Sequence, residues 1–137
     1  MLVKQISVFL ENKEGRLAEV TEILAQSGIN ISALTIADTS TFGILRLIVE
    51  DSSKTESLLK SKGFSVSLTD VIAVDIDDTP GGLSKPLSIL FKNGISVEYI
   101  YAFISKKENT AHVVMKVNDI NHAVDILENN GYKYTGK

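Results

Sequence analysis

The sequence has 137 residues, of which 44% are hydrophobic and 23% charged, and its formal net charge is −3 at pH 7. This composition is typical of a globular protein and excludes a disordered chain, while the 14 scattered basic residues argue against nucleic acid as a partner. The sequence contains no apolar run of the ~18 residues that span a membrane, no recognisable signal peptide and no cysteine, so we expect a cytoplasmic protein that does not bind membranes.

The hydrophobic period of the first half switches between two and 3.6, which predicts alternating strands and helices. Residues 6–10 alternate as a strand, and residues 17–24 place their apolar side chains on one helical face until Gly28 ends the helix. Residues 31–36 and 44–49 then predict two more strands joined by a hairpin connection. The order up to this point is strand, helix, strand, strand.

A short helix and a fourth strand complete this first half. Ser52 or Ser53 is the predicted N-cap of the helix, and Gly63 is predicted to end it. Residues 64–68 alternate as the last strand. The complete order is therefore βαββαβ.

The second half repeats the first. Gly81 and Gly94 follow Gly15 and Gly28 by 66 residues each, and the same order of elements recurs, from a strand at 72–76 to one at 132–134. We predict two domains, residues 1–68 and 69–137, without a linker. Each is an α+β, ferredoxin-like unit with helices on one face of an antiparallel sheet, and the sheets lie side by side or form one eight-stranded sheet.

The loop before the first helix of each copy has two interpretations. Asn or Asp, Pro and Gly are common turn residues, so this loop can be a turn without a ligand. Alternatively, a Gly-bearing turn that opens a helix presents backbone N–H groups to an anion such as a carboxylate. Asn30, just after the helix, could add an amide donor and a carbonyl acceptor, and an α-amino acid needs both.

These motifs resemble the ACT domain, the regulatory module of amino-acid biosynthetic enzymes, over nearly the whole chain. In the first copy the resemblance rests on Asn12, Gly15, Leu17, Gly28, Ile29, Asn30 and Ile31. In the second copy it rests on Asp78, Pro80, Gly81, Leu83, Gly94 and Ile95. Two departures are Ser96, which stands where the first copy has Asn30, and Pro86, which is tolerated only in the first turn of its helix.

The resemblance implies a tandem ACT protein without an attached enzyme domain, which binds an amino acid at the interface between its repeats. The implied ligand-binding residues of the first copy are Asn12, Glu14, Gly15, Arg16, Leu17, Asn30 and Ile31. Those of the second copy are Asp78, Gly81, Gly82, Leu83, Ser96 and Val97. A regulatory or structural subunit that binds no ligand and associates with an amino-acid metabolic enzyme is the alternative.

Other chemistries find little support in the sequence. The acidic loop of Asp75, Asp77 and Asp78 lacks the Glu that a calcium loop requires, and His112 and His122 are predicted to be ordinary surface or edge histidines without a carboxylate partner. No nucleophile or phosphate-binding motif occurs, so we expect no enzyme activity, metal or cofactor. Residues 97–104 are apolar on both faces of their predicted strand, which favours a homodimer.

Overall fold

The computed structural model describes residues 1–11, 14–38 and 41–136. The chain forms two compact units. One consists of Lys4–Thr69, and the other combines Met1–Val3 with the chain from Asp70 onward. None of the helices in the described ranges has the length and apolarity of a membrane-spanning segment.

The unit Lys4–Thr69 contains the elements predicted for the first repeat. In chain order they are β1 (Leu2–Glu11), α1 (Arg16–Gln26), β2 (Ile31–Asp38), β3 (Phe42–Val49), α2 (Ser52–Ser61) and the start of β4 (Ser65–Asp77). The strand order is β2-β3-β1-β4, and β3 pairs antiparallel with both β1 and β2. This arrangement places the end of β1 beside the start of β3, although the two segments are far apart in the sequence.

One face of this sheet carries the core of the unit. Alternate residues of β1, among them Ile6 and Val8, are fully buried against Leu24 of α1 and Leu59 of α2. Each such side chain contributes about 1.5–3 kcal/mol relative to exposure to water. The helices therefore cover the face that the alternation predicted.

The end of α1 is set by Gly28, as predicted. Gly28 has a φ of 69°, its N–H donates to the carbonyl of Ala25, and the N–H of Ile29 donates to that of Leu24. This pair of bonds is a Schellman motif, which requires a left-handed residue that glycine provides without strain. Ile29 then packs on the core and directs the chain into β2.

The prediction that Ser52 or Ser53 caps α2 is wrong. Asp51 is the N-cap, and its Oδ1 accepts a hydrogen bond of 3.0 Å from the backbone N–H of Lys54. Both serines lie inside the first helical turn. An aspartate and a serine are equally good caps, so the sequence alone did not separate them.

Asp51→Ala should lower the free energy of unfolding by about 1 kcal/mol, because it removes the acceptor of an otherwise unpaired helical N–H. Ser53→Ala, two residues further on and exposed, should change it by less than about 0.5 kcal/mol. Urea unfolding of both variants would measure the difference. Equal losses would contradict the assignment of the cap.

The second unit has the same helix-on-sheet arrangement. Its elements are the end of β4, α3 (Ser84–Lys92), β5 (Val97–Ala102), β6 (Thr110–Val117) and α4 (Ile120–Asn129), and the strand order is β4-β6-β5 with antiparallel pairing. Ile72, Val74 and Met115 are buried with Leu90 of α3 and Leu127 of α4. Pro86 is the third residue of α3, so it lies in the first turn, where proline is tolerated.

The predicted α+β fold with antiparallel strands is confirmed, but the count of eight strands is wrong, since the described residues form six. Two predicted strands merge into β4, which has 13 residues. The predicted strand at 132–134 does not form: beside β4, Asp75 donates its N–H to Lys133, whereas Ala73 donates to Met1, each at 2.8 Å. The neighbour of β4 on this edge is β1, which starts one residue after Met1, and among the described residues Lys133 makes only a single bond beside it.

Candidate functional site

The predicted site of the first repeat surrounds the start of α1. Gly15 is the N-cap, with a φ of 83°, and the first helical hydrogen bond runs over 2.9 Å from the N–H of Glu19 to its carbonyl. Gly15 has no side chain that could cap the first-turn N–H groups, and these groups have no partner within a helix. Glu14 and Gly15 are exposed, whereas Asn12 lies outside the described residues.

Arg16 is the most constrained of the predicted residues. Its Nη1 donates to Glu19 Oε2 at 2.9 Å, and its guanidinium carbon lies 5.3 Å from the ring centre of Phe64, a cation–π contact. Its Nε is buried and has no acceptor among the described residues, although 31% of the side chain is exposed. Arg16 is thus held by Glu19 and Phe64 while its guanidinium stays partly accessible.

A pocket of about 210 Å³ lies beside Arg16. Among the described residues its lining contains three phenylalanines and one carboxylate, and consists of Phe9, Leu10, Glu11, Arg16, Phe42, Gly63, Phe64 and Ser65. Only Arg16 was predicted. The other residues come from β1, β3, the connection from α2 to β4 and the first residue of β4, which are far apart in the sequence.

The remaining predicted residues of the first repeat lie elsewhere on the same unit. Asn30 is exposed in the short connection between α1 and β2, and Ile31 begins β2 and is half-buried. Leu17 is 38% exposed on the first turn of α1. In the described structure none of these three lines the pocket beside Arg16.

The corresponding loop of the second repeat is a tight turn. The N–H of Gly82 donates to Thr79 over 2.9 Å, and Gly81 has a φ of 85° and accepts from Lys85 N–H. A β-carbon on Gly82 would lie 1.9 Å from the carbonyl oxygen of Asp77, so only glycine fits there. The loop then leads through Leu83, which is 38% exposed, into α3.

A second pocket of about 220 Å³ adjoins this turn. Its lining is Asp77, Thr79, Pro80, Gly81, Gly82, Lys85 and Tyr132. Burial, and in addition the negative charge of Asp77, raises the pKa of Tyr132 above its usual value, so this phenol stays protonated at neutral pH. The pocket thus combines the lysine and backbone groups at the start of α3 with a carboxylate and a hydroxyl.

Other predicted residues of the second repeat already have partners. Asp78 Oδ2 pairs with Lys106 Nζ at 2.5 Å. The backbone N–H of Ser96 donates to Asn118 Oδ1 at 3.0 Å, and its carbonyl accepts from Asn118 N–H at 3.2 Å. Val97 pairs with Val117 in the sheet. The backbone of Ser96, the position equivalent to Asn30, is therefore engaged within its own unit, while the residue itself is exposed.

The prediction that His112 lacks a carboxylate partner is wrong. His112 is 7% exposed, lies directly opposite Asp75 in the pairing of β4 with β6, and its Nδ1 is 2.5 Å from Asp75 Oδ1. Asp75 Oδ2 accepts from both the N–H (3.1 Å) and the hydroxyl (2.6 Å) of Thr135. The rings of Phe103 and Tyr134 enclose the imidazole at 6.0 and 5.9 Å.

Asp75 remains ionised in this environment. Burial by itself raises the pKa of its carboxyl, but the hydrogen bonds from Thr135 and His112 and the charge of His112 outweigh it, so the pKa lies below its usual value. Burial and the charge of Asp75 raise the pKa of the neighbouring Tyr134 phenol. The cluster holds the segment after α4 against β4.

Elsewhere, His122 is exposed, as predicted, and the described residues contain no group of three or more His, Asp or Glu side chains placed to hold a metal ion.

Comparisons with known proteins agree with this fold. The family model for an ACT domain pair matches residues 1–136. A structurally characterised protein from Bacteroides thetaiotaomicron is 42% identical, with a TM-score of 0.91 over 97% of this chain and 91% of that one. No curated protein matches the sequence.

More distant structures share the fold alone. The ligand-free regulatory subunit of aspartate kinase from Thermus thermophilus is 16% identical, with a TM-score of 0.69 over 96% of this chain and 97% of that one. The corresponding subunit from Thermus flavus is 20% identical, with a TM-score of 0.64 over 93% and 92%. Each of these regulatory subunits is thus matched over nearly its whole length.

Proposed function

Because the chain belongs to the ACT domain family, as a pair of ACT domains, we propose that it is a regulatory protein that binds a free amino acid. The exposed start of α1 carries the proposal. Gly15 opens the helix without a side-chain cap, and the cation of Arg16 is the first helical residue. A carboxylate at this position would accept from backbone N–H groups at the positive end of the helix dipole.

The two repeats support unequal roles in this binding. Arg16 is the first residue of α1, whereas its counterpart in the second repeat is Gly82, which has no charged side chain. We therefore expect the first repeat to supply the cation that binds the ligand carboxylate. A ligand between the repeats, a homodimer and a cytoplasmic location remain predictions from the sequence.

Regulation would follow from differential affinity. A ligand shifts an equilibrium between two arrangements of a protein only by the ratio of its affinities for them. The aspartate kinase regulatory subunits of Thermus species have the same fold, and a subunit that acts on an amino-acid metabolic enzyme without its own ligand is the alternative. The following experiment distinguishes the amino-acid-binding regulator from the subunit without a ligand.

A thermal-shift screen of the twenty amino acids at millimolar concentration should raise the melting temperature by several degrees for one or a few of them. A ligand at 100 times its Kd adds about 2.7 kcal/mol to stability. Arg16→Gln should reduce this shift, while Lys85→Gln, at the start of α3 in the second repeat, should leave it unchanged. No shift with any amino acid would count against the sensor and favour the ligand-free subunit.

A further inference from the structure

The pocket beside Arg16 has a counterpart in the second repeat. That counterpart has a volume of about 200 Å³ and is lined by Asp75, Ile76, Asp77, Thr110, Gly131, Tyr132 and Lys133. Each of these residues follows a residue of the first pocket by 66 or 68 positions, the two offsets of the sequence repeat. In each repeat the pocket lies at the end of the first strand, beside the start of the third strand and just after the last helix. The cavity is therefore a property of the repeated fold.

The walls of the two cavities have diverged in chemistry. Phe9 and Phe42 of the first cavity correspond to Asp75 and Thr110 of the second. The two phenylalanine rings lie 5.9 Å apart at an interplanar angle of 48°, and they are 46% and 38% exposed. Exposed aromatic side chains that line a cavity are the usual contacts of an apolar or aromatic ligand group.

Charges of both signs accompany the aromatic walls. Arg16 lines the first cavity with a buried Nε that has no acceptor in the described part of the chain, and the exposed Glu11 lines it with a carboxylate. The residue equivalent to Arg16 in the second repeat is Gly82, which carries no charge. A cation, a carboxylate and aromatic rings around about 210 Å³ match a zwitterion with an apolar side chain.

We propose that the first repeat binds an aromatic amino acid in this cavity, with the carboxylate on Arg16, the ammonium group toward Glu11 and the ring packed against the contacting pair Phe9 and Phe42. This inference rests on the proposed function and names the class of its ligand. The second cavity is unsuited to the same ligand, because Asp75 takes the place of an aromatic wall and is held by His112 and Thr135.

Free L-tryptophan is the probe that tests the inference, because the protein contains no tryptophan and the ligand fluorescence has no tryptophan background. Titration of protein into L-tryptophan should give a saturable spectral shift. Phe42→Thr, which installs the residue of the second repeat, should weaken binding about tenfold, the loss expected for one aromatic contact. Thr110→Ala, at the equivalent position of the second cavity, should leave the affinity unchanged.

Two further measurements keep the test decisive. Phe9→Thr should weaken binding about as much as Phe42→Thr, so a folding defect of one variant cannot decide the result. Arg16→Gln should weaken the binding of L-tryptophan about tenfold and that of tryptamine, which lacks the carboxylate, hardly at all. Circular dichroism of each variant would verify its fold.

The outcomes separate this inference from the proposed function. Saturable binding of a small or polar amino acid that is insensitive to Phe42→Thr and Phe9→Thr would overturn the aromatic site and leave an amino-acid sensor. Absence of binding for all twenty amino acids would overturn both. L-Tryptophan binding that responds to Thr110→Ala and not to Phe42→Thr would place the ligand in the second repeat and contradict the inference.

Discussion

Asp75→Ala is expected to lower the free energy of unfolding by about 3 kcal/mol. The change removes the acceptor of three hydrogen bonds, two from Thr135 and one with the buried imidazole of His112. Loss of this acceptor leaves the buried imidazole and the two Thr135 donors without compensation for their lost hydration. Urea unfolding followed by circular dichroism would measure the loss.

Asp125→Ala is the matched control, since Asp125 is an exposed carboxylate on α4 of the same unit, and its substitution should cost less than about 0.5 kcal/mol. The pH dependence has a defined sign. Because the pKa of Asp75 is lower in the folded protein than in the unfolded chain, its contribution is present above about pH 4 and is lost as the pH falls through the folded value. A difference between wild type and Asp75→Ala that grew in acid would contradict this account.

Gly82→Ala is expected to destabilise the second repeat by about 3 kcal/mol, at the upper end of overpacking effects. The new β-carbon would lie 1.9 Å from the carbonyl oxygen of Asp77, and that oxygen belongs to the backbone, which cannot rotate away as a side chain can. The turn before α3 must then open. A fall in the melting temperature of several degrees would report the change.

Gly81→Ala, one residue earlier, separates steric conflict from conformational strain. Gly81 has a φ of 85°, but a β-carbon there would meet no atom within 4 Å among the described residues. The expected cost is therefore only that of the left-handed conformation, about 1 kcal/mol. Equal effects of the two substitutions would show that the close approach of Asp77 to Gly82 is not what fixes the turn.

Much of the fold follows from the sequence because its determinants are local. Gly28, Gly63 and Gly94 end helices through positive φ values that glycine adopts without strain, and the strand and helix periods of each repeat are regular. The merging of two predicted strands into β4 could not be predicted in the same way. Thr69 and Asp70 interrupt the alternation, which by itself favours a strand end there, yet the backbone pairing continues through both residues.

The candidate site was less predictable, because its contacts are set by strand register. Asp75 and His112 are 37 positions apart and meet only through the pairing of β4 with β6. Phe9 and Phe42 likewise come together only through the pairing of β1 with β3. By contrast, Gly15, Arg16 and Gly81 belong to the loop before the first helix of each repeat or to the start of that helix. This motif is local, and comparison of the two copies identifies it in the sequence.

The continuity of β4 limits how the protein can be dissected. A cut between Thr69 and Asp70, which separates the repeats in sequence, would fall inside a strand of 13 residues. It would also leave Met1–Val3 on the wrong fragment, so Ala73 would lose the carbonyl of Met1 that accepts its N–H. Studies of a single repeat are therefore better made by substitution within the intact chain than by expressing either half alone.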